Sequence, residues 1–388
     1  MGQVAREHRG SVAVALLIIA IAVVAQWWLK SRYRGAVHLA TVLSAVLTAT
    51  VSFVTSIVVF TPCVAGAAGY SVIDLGTLPE GTSAVVRTLS DAEEIVGSGQ
   101  FGRGPRAFIL TRTGLQELDG GDPTDYSVAS GINARGDVVG SRNSSTALRA
   151  FRWTRGQGFV DLLPLSGDSG SAALAVNDRG QTAGYSSGLG GTRAVVWAAD
   201  GLPQPLPGAA PSQALSINDA GDVVGVSASR AVLWSGGSVQ DLGTLPGHST
   251  SEALNINVRG EVVGSSGDLS QRRAVLWAPG AVPLDLGALN GGTSSRALWI
   301  NQLSQVVGTS ESSLGSRAFI WTRTGGMQDL NGLVGGTAGF VLTHAVTVNN
   351  LGMILAIGHD DPHESDALPG AHDLHELPVR VFLLLPVP

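Results

Sequence analysis

The sequence predicts an all-β fold, a seven-bladed β-propeller of four-stranded antiparallel blades behind an N-terminal hydrophobic leader. Three observations carry this expectation. A unit of about 40 residues recurs from Tyr70 to the C-terminus, the period of propeller blades. Each unit contains four short strand-like segments separated by turn residues. The first and last units are incomplete in complementary ways, as ring closure requires.

Residues 251–285 show the unit most clearly. Segments 253–256, 261–265 and 273–277 read as strands, with 283–286 as a shorter fourth. Asn257 and Gly260 stand at positions i and i+3 of a type I turn. Asparagine caps such a turn with its side chain, and glycine accepts the left-handed conformation that ends it. The same turn position falls at Ser90, Asn133, Asn177, Asn218, Asn257, Asn301 and Asn349. That makes seven copies, spaced by roughly 39 to 48 residues. The strand before the turn is expected to be innermost, strand A. A V-V-G strand follows as strand B, as in Val138-Val139-Gly140 and Val262-Val263-Gly264. Strand C opens on arginine and often ends in tryptophan, at Trp153, Trp197, Trp234, Trp277 and Trp321. A short outermost strand D carries Asp-Leu, as in Asp74-Leu75, Asp161-Leu162, Asp241-Leu242, Asp285-Leu286 and Asp329-Leu330.

The D-L-G-[TA]-L, I-N-x-x-G, V-V-G and R-A-F-x-W elements recur together and in order from Tyr70 to Pro388. In this the chain resembles the HAF-repeat family of predicted extracellular bacterial proteins. The alanine and phenylalanine of the family motif stand at Ala107-Phe108, Ala150-Phe151 and Ala318-Phe319, while arginine replaces the family histidine in every copy. The resemblance implies an exported repeat protein, and no activity comes with it.

Strand C is apolar on both sides, as a strand covered by two neighbouring blades must be. Ala274 and Leu276 are expected on one face, Val275 and Trp277 on the other. The arginines that open strand C are Arg106, Arg149, Arg193, Arg230, Arg273, Arg317 and Arg380. The first six precede Glu117, Asp161, Gln204, Asp241, Asp285 and Asp329 on strand D, and a C–D hairpin places each pair across from one another. A structural ion-pair ring is therefore expected, with an anion-binding ring as its rival. Arg380 has no acid after it, and Asp74 has no arginine before it in the repeats. One-plus-three closure, with Asp74 beside Arg380, resolves both.

Composition narrows the function classes. With 30 acidic against 24 basic residues the formal net charge is −6, so no broad basic surface for nucleic acid is implied. Cys63 is the only cysteine, so the domain holds together by packing without an internal disulfide. Residues 1–67 read as the leader. Residues 12–29 are apolar enough to span a bilayer, and residues 37–67 read as a signal peptide or second span. Lys30, Arg32 and Arg34 lie between the two runs, which puts this cluster in the cytoplasm and residues 70–388 outside. Ala65-Gly66-Ala67 has the form of a signal-peptidase site, with cleavage before Ala68. The first run is either a membrane helix or upstream sequence from a misassigned start. Pro62 stands where a lipid-attachment box at Cys63 needs a small residue.

His359, Asp360, Asp361, His363, Glu364, Asp366, His372, Asp373, His375 and Glu376 crowd one segment. Imidazole and carboxylate suit a divalent ion, but no H-E-x-x-H frame presents them, so a solvated acidic insertion is the plainer reading. No G-x-S-x-G elbow follows a strand and precedes a helix, and no Walker loop occurs. No catalytic, metal or cofactor residue is assigned and no cofactor is expected. The D-to-A loops are glycine-rich, either as tight connections or as a shallow binding face around the channel. The expected function is an exported, monomeric binding or structural module whose partner is carbohydrate or another surface protein, attached to membrane only through the leader. The alternative is a polysaccharide hydrolase or lyase with carboxylates at the channel mouth.

Overall fold

A computed structural model describes residues 69–77, 85–101, 104–118, 126–143, 147–268, 271–335, 339–360 and 379–387. These residues form seven four-stranded antiparallel sheets, the blades of a propeller. Blades 1 to 6 take their strands in chain order from residues 85–117, 127–162, 170–205, 212–241, 251–285 and 295–329. Blade 7 combines Phe340–Val348, Ile354–Asp360 and Arg380–Pro386 with Tyr70–Gly76 as its outer strand. One-plus-three closure is therefore what the chain adopts. Arg380 is ion-paired with Asp74, as expected, and also with Asp360. The leader lies outside the described residues.

The recurring motifs each have a physical cause. In every blade the Asn-position residue accepts a backbone bond from the residue three later, which has positive φ. Glycine occupies that place in five blades, but Glu93 and Ser304 take it at φ 64° and 59°. At Ser304 a 2.6 Å hydrogen bond from its hydroxyl to Glu261 offsets the backbone cost. Strand A of each blade carries a bulge, between Ala253 and Asn255 in blade 5; in blades 1 to 6 a glycine lies opposite the residue where it begins, and in blade 7 Ala356 takes that place opposite Ala345. A Cβ on Gly264 would penetrate the Glu252 carbonyl oxygen, and it would meet Ala253 Cα at 3.1 Å. The same backbone approach recurs at Gly140, Gly225 and Gly308.

Blades are joined by polar latches as well as by apolar surface. Serine near the start of strand A accepts the backbone N–H of the strand C alanine in the preceding blade, as in Ala231 N to Ser251 Oγ and Ala274 N to Ser295 Oγ, both at 3.0 Å. The turn asparagines form a chain around the opposite face. Asn133, Asn177, Asn218, Asn257 and Asn301 each donate an amide hydrogen to the backbone carbonyl of the next asparagine, at 2.9–3.2 Å. Asn349 donates to Ser90 O across the closure. Ser90 has no amide to continue the chain, and blade 1 instead bonds to blade 2 through Thr88 Oγ1 and Ser130 O at 3.1 Å.

Strand C packs as predicted. Ala274 and Leu276 join the core shared with blade 6, around Ala297 and Phe319. Val275 and Trp277 join the core shared with blade 4, around Val224 and Ala231. Trp277 is 3 % exposed, yet its Nε1 is buried without a hydrogen-bond partner among the described residues. Trp197 by contrast bonds Leu163 O at 2.7 Å. Trp277→Ala is therefore expected to cost about 3 kcal/mol, the low end for a buried tryptophan, because the cavity penalty is reduced by removal of an unsatisfied donor. A denaturant midpoint within a few tenths of a kcal/mol of the parent would contradict this packing.

The arginine ring is only partly as expected. Arg106–Glu117, Arg230–Asp241 and Arg273–Asp285 pair at 3.9, 3.1 and 3.3 Å. The acid faces the residue two beyond the arginine, as in Val275 opposite Asp285, so these pairs are diagonal rather than directly opposite. In blade 2 Arg142 takes Asp161 at 2.8 Å, leaving Arg149 to donate to Ser169 O. Arg193 reaches Asp168 at 2.9 Å, not Gln204. Arg317 donates to Ser316 O, while Asp329 caps the one-turn helix Leu330–Leu333 by accepting from Asn331 N at 2.9 Å. Local competition for each carboxylate decides these exceptions. The arginines sit on the third strand of each blade.

Candidate functional site at the channel mouth

Alternating strand direction puts the Asn turns on one face of the disc and the D-to-A and B-to-C loops on the other. Both channel mouths are polar, but only one is saturated by the fold itself. The turn-face mouth encloses about 210 Å³ and is bordered by the asparagine chain with Asp91, Asp178, Asp219, Gln302 and Asn350. Its carboxylates are already engaged. Asp178 Oδ1 accepts from Ala134 N at 2.8 Å, Asp219 Oδ1 from Asp178 N at 2.9 Å, and Asp91 from both nitrogens of Asn350 at 2.8 Å.

Strand D acids are likewise structural. Asp241 and Asp285 accept from Gly243 N and Gly287 N at 2.8 Å, closing tight turns at glycines with φ 83° and 87°. That explains why D-L-G recurs. Buried acids elsewhere are held ionised. The Ser186 hydroxyl, opposed by burial and joined by Arg193, lowers the pKa of Asp168. Burial alone would raise Glu261, but bonds from Ser304, Asn257 and Arg323 together bring it below its ordinary value. A depressed folded pKa gives stability that is present above the unfolded value and lost as pH falls through the folded one. Denaturant midpoints are therefore expected to drop below about pH 4, less steeply in Glu261→Gln. An identical acid limb in that variant would remove Glu261 from the explanation.

The loop-face mouth is different because it departs from the repeat. The strand A position before the alanine reads Val85, Val128, Ala172, Gln213, Glu252, Arg296 and His344 in successive blades. The fold does not dictate this rim position, and blades 5 to 7 make it charged or ionisable. A pocket of about 260 Å³ lies there, lined by Arg272, Arg296, Leu298, Thr309, Glu311 and His344 among others. Glu252 accepts from Arg296 Nε and Ser265 Oγ, both at 2.8 Å, with Arg272 Nη1 at 3.8 Å. Arg272 Nε is buried and has no partner among the described residues. His344 Nδ1 lies 2.9 Å from Thr343 Oγ1. Desolvation lowers the His344 pKa, and Glu311 opposes that shift, so the imidazole is largely neutral at neutral pH.

Of the metal segment, only His359 and Asp360 are described. His359 Nδ1 lies 2.9 Å from Asp360 O, and the Asp360 carboxylate pairs with Arg380. Asp361, His363, Glu364, Asp366, His372, Asp373, His375 and Glu376 lie outside the described residues. Among the described residues no group of three or more His, Cys, Asp or Glu side chains could hold a metal ion.

No family model matches the chain, and no curated protein does. Solved structures do. The chain has the fold of a seven-bladed β-propeller. A streptogramin B lyase structure is 11 % identical with a TM-score of 0.51, over 83 % of this chain and 100 % of that one. A catalytically inactive virginiamycin B lyase from Staphylococcus aureus, solved with quinupristin, is 10 % identical with a TM-score of 0.52, over 82 % and 100 %. The β-propeller domain of the Trilobed protease from Pyrococcus furiosus is 9 % identical with a TM-score of 0.50, over 74 % and 92 %. That domain is described as having an open velcro topology, whereas strand Tyr70–Gly76 closes this ring. At such identities the likeness concerns the fold alone.

The loop-face cluster was not singled out in the sequence. Its signal was available as a departure from the repeat: where alanine or valine suffices in three blades, glutamate, arginine and histidine stand in three others.

Proposed function

We propose that this chain is an exported HAF-repeat propeller that acts as a binding module and takes a carbohydrate ligand at the loop-face mouth. The observation that carries the reading is the asymmetry of that mouth. Arg272, Arg296, Glu311 and His344 line one pocket, with Glu252 paired to both arginines behind them, although no repeat requirement places them there. Guanidinium donors stand beside carboxylate and imidazole acceptors, a mixture suited to hydroxyl groups that both donate and accept. Export is supported by the apolar leader, its basic cluster and the Ala65-Gly66-Ala67 site.

A glycan array tests the binding reading. Retention of saccharides with no change in their mass, lost in the double variant Glu311→Ala/His344→Ala, is the expected result; equal retention by parent and variant moves binding away from this mouth. Peptide mass spectrometry tests export, with a mature N-terminus near Ala68 expected and a peptide from residues 12–60 opposing cleavage. The second reading, a polysaccharide hydrolase or lyase, is favoured by one observation: the lowered pKa of His344 beside Glu311 makes the imidazole available as a base. Product release that disappears in His344→Ala would select it over binding alone.

A further inference from the structure

We propose that the loop-face pocket receives a ligand bearing a single carboxylate, a uronate residue of an acidic saccharide, with Arg272 and Arg296 as its receptors. The proposal rests on the carbohydrate reading and specifies which saccharides fit. Each guanidinium carries five N–H donors in a planar fork, yet one carboxylate, Glu252, serves both arginines. Arg296 gives Glu252 its Nε–H, which leaves its terminal nitrogens for a second acceptor. Arg272 stands farther from Glu252, and its buried Nε has no partner among the described residues. A buried donor without an acceptor is costly, more so when charged, and a guest carboxylate supplies two coplanar oxygens that match the guanidinium geometry.

The local charge sets the size of the guest's own charge. Arg272 and Arg296 contribute two positive charges, Glu252 and Glu311 two negative ones, and His344 is held toward its neutral form. With the arginines already balanced, the pocket has no excess positive charge for a phosphate dianion, which Glu311 at the rim would also repel. A monoanion held by directional bonds suits it better. Glu311 and the Nε2 of His344 then face the sugar hydroxyls next to the carboxylate, while Leu298 offers an apolar wall.

The test is calorimetric titration with the methyl glycosides of galacturonate and glucuronate, each as the free acid and as the methyl ester, which removes the charge and adds one methyl group. The acid of at least one series is expected to bind about tenfold more tightly than its ester, and that advantage should shrink as salt is raised. Arg272→Met should abolish the acid's advantage by weakening acid binding far more than ester binding. Equal affinity for acid and ester in both series overturns the proposal while the carbohydrate reading stands. Binding of neither form, with no saccharide retained on the array, removes both. If Arg272→Met fails to fold, the acid-against-ester comparison on the parent decides alone.

Discussion

Asn257→Ala is expected to lower stability by about 5 kcal/mol, because one side chain satisfies four groups in a site closed to water. Asn257 is 1 % exposed. Its Oδ1 accepts from Arg259 N and Glu261 N, both at 3.0 Å. Its Nδ2 donates to Glu261 Oε2 at 2.7 Å and across the blade boundary to Asn301 O at 3.2 Å. Alanine leaves the buried Glu261 amide without its side-chain acceptor, weakens the support of a buried carboxylate, and cuts one link in the chain of asparagines. Val258→Ala, one residue away and half exposed, should change stability by only about 0.5 kcal/mol. Chemical denaturation of the two variants checks this, and a loss below about 1 kcal/mol for Asn257→Ala would show that water replaces the amide.

Gly264→Ala is expected to cost about 4 kcal/mol, well beyond the usual strand preference against glycine, which has the opposite sign. The added methyl collides with backbone on strand A: it penetrates the Glu252 carbonyl oxygen, meets the carbonyl carbon at 3.0 Å and reaches Ala253 Cα at 3.1 Å. Neither group is the end of a flexible side chain. Relief requires flattening the bulge, which would shift Glu252 and so disturb the loop-face pocket. The variant is therefore expected to lose stability and pocket integrity together. Gly280→Ala is the contrasting control: nothing lies within 4 Å, but its φ of 70° costs backbone energy, about 1 kcal/mol. A Gly264→Ala midpoint no lower than that of Gly280→Ala would contradict the close-approach explanation.

Most of the architecture was legible because a propeller repeats its solution. Each blade faces the same environment, so Asn at the turn, Gly after V-V, Trp at the end of strand C and Asp before L-G recur at fixed places. Recurrence separates required residues from tolerated ones. The unmatched Asp74 and Arg380 even disclosed how the ring closes, since a pair split by 306 residues comes together only in one blade. The exact partners of the other arginines were less legible. Asp161 lies within reach of both Arg142 and Arg149, and the residue that wins depends on side-chain paths that spacing does not encode.

By itself, then, the sequence determined the number of blades, the order of their strands, the closing strand and the packing of strand C, because periodicity and polarity act locally and identically in every copy. Only the tertiary structure decided which arginine meets which acid, why the V-V-G glycine tolerates no side chain, and how Glu252, Arg272, Arg296, Glu311 and His344 converge. Those residues come from three blades and span 93 positions, from 252 to 344. Closing the disc brings their strand ends to one mouth, a juxtaposition set by the curvature of the ring rather than by any spacing along the chain.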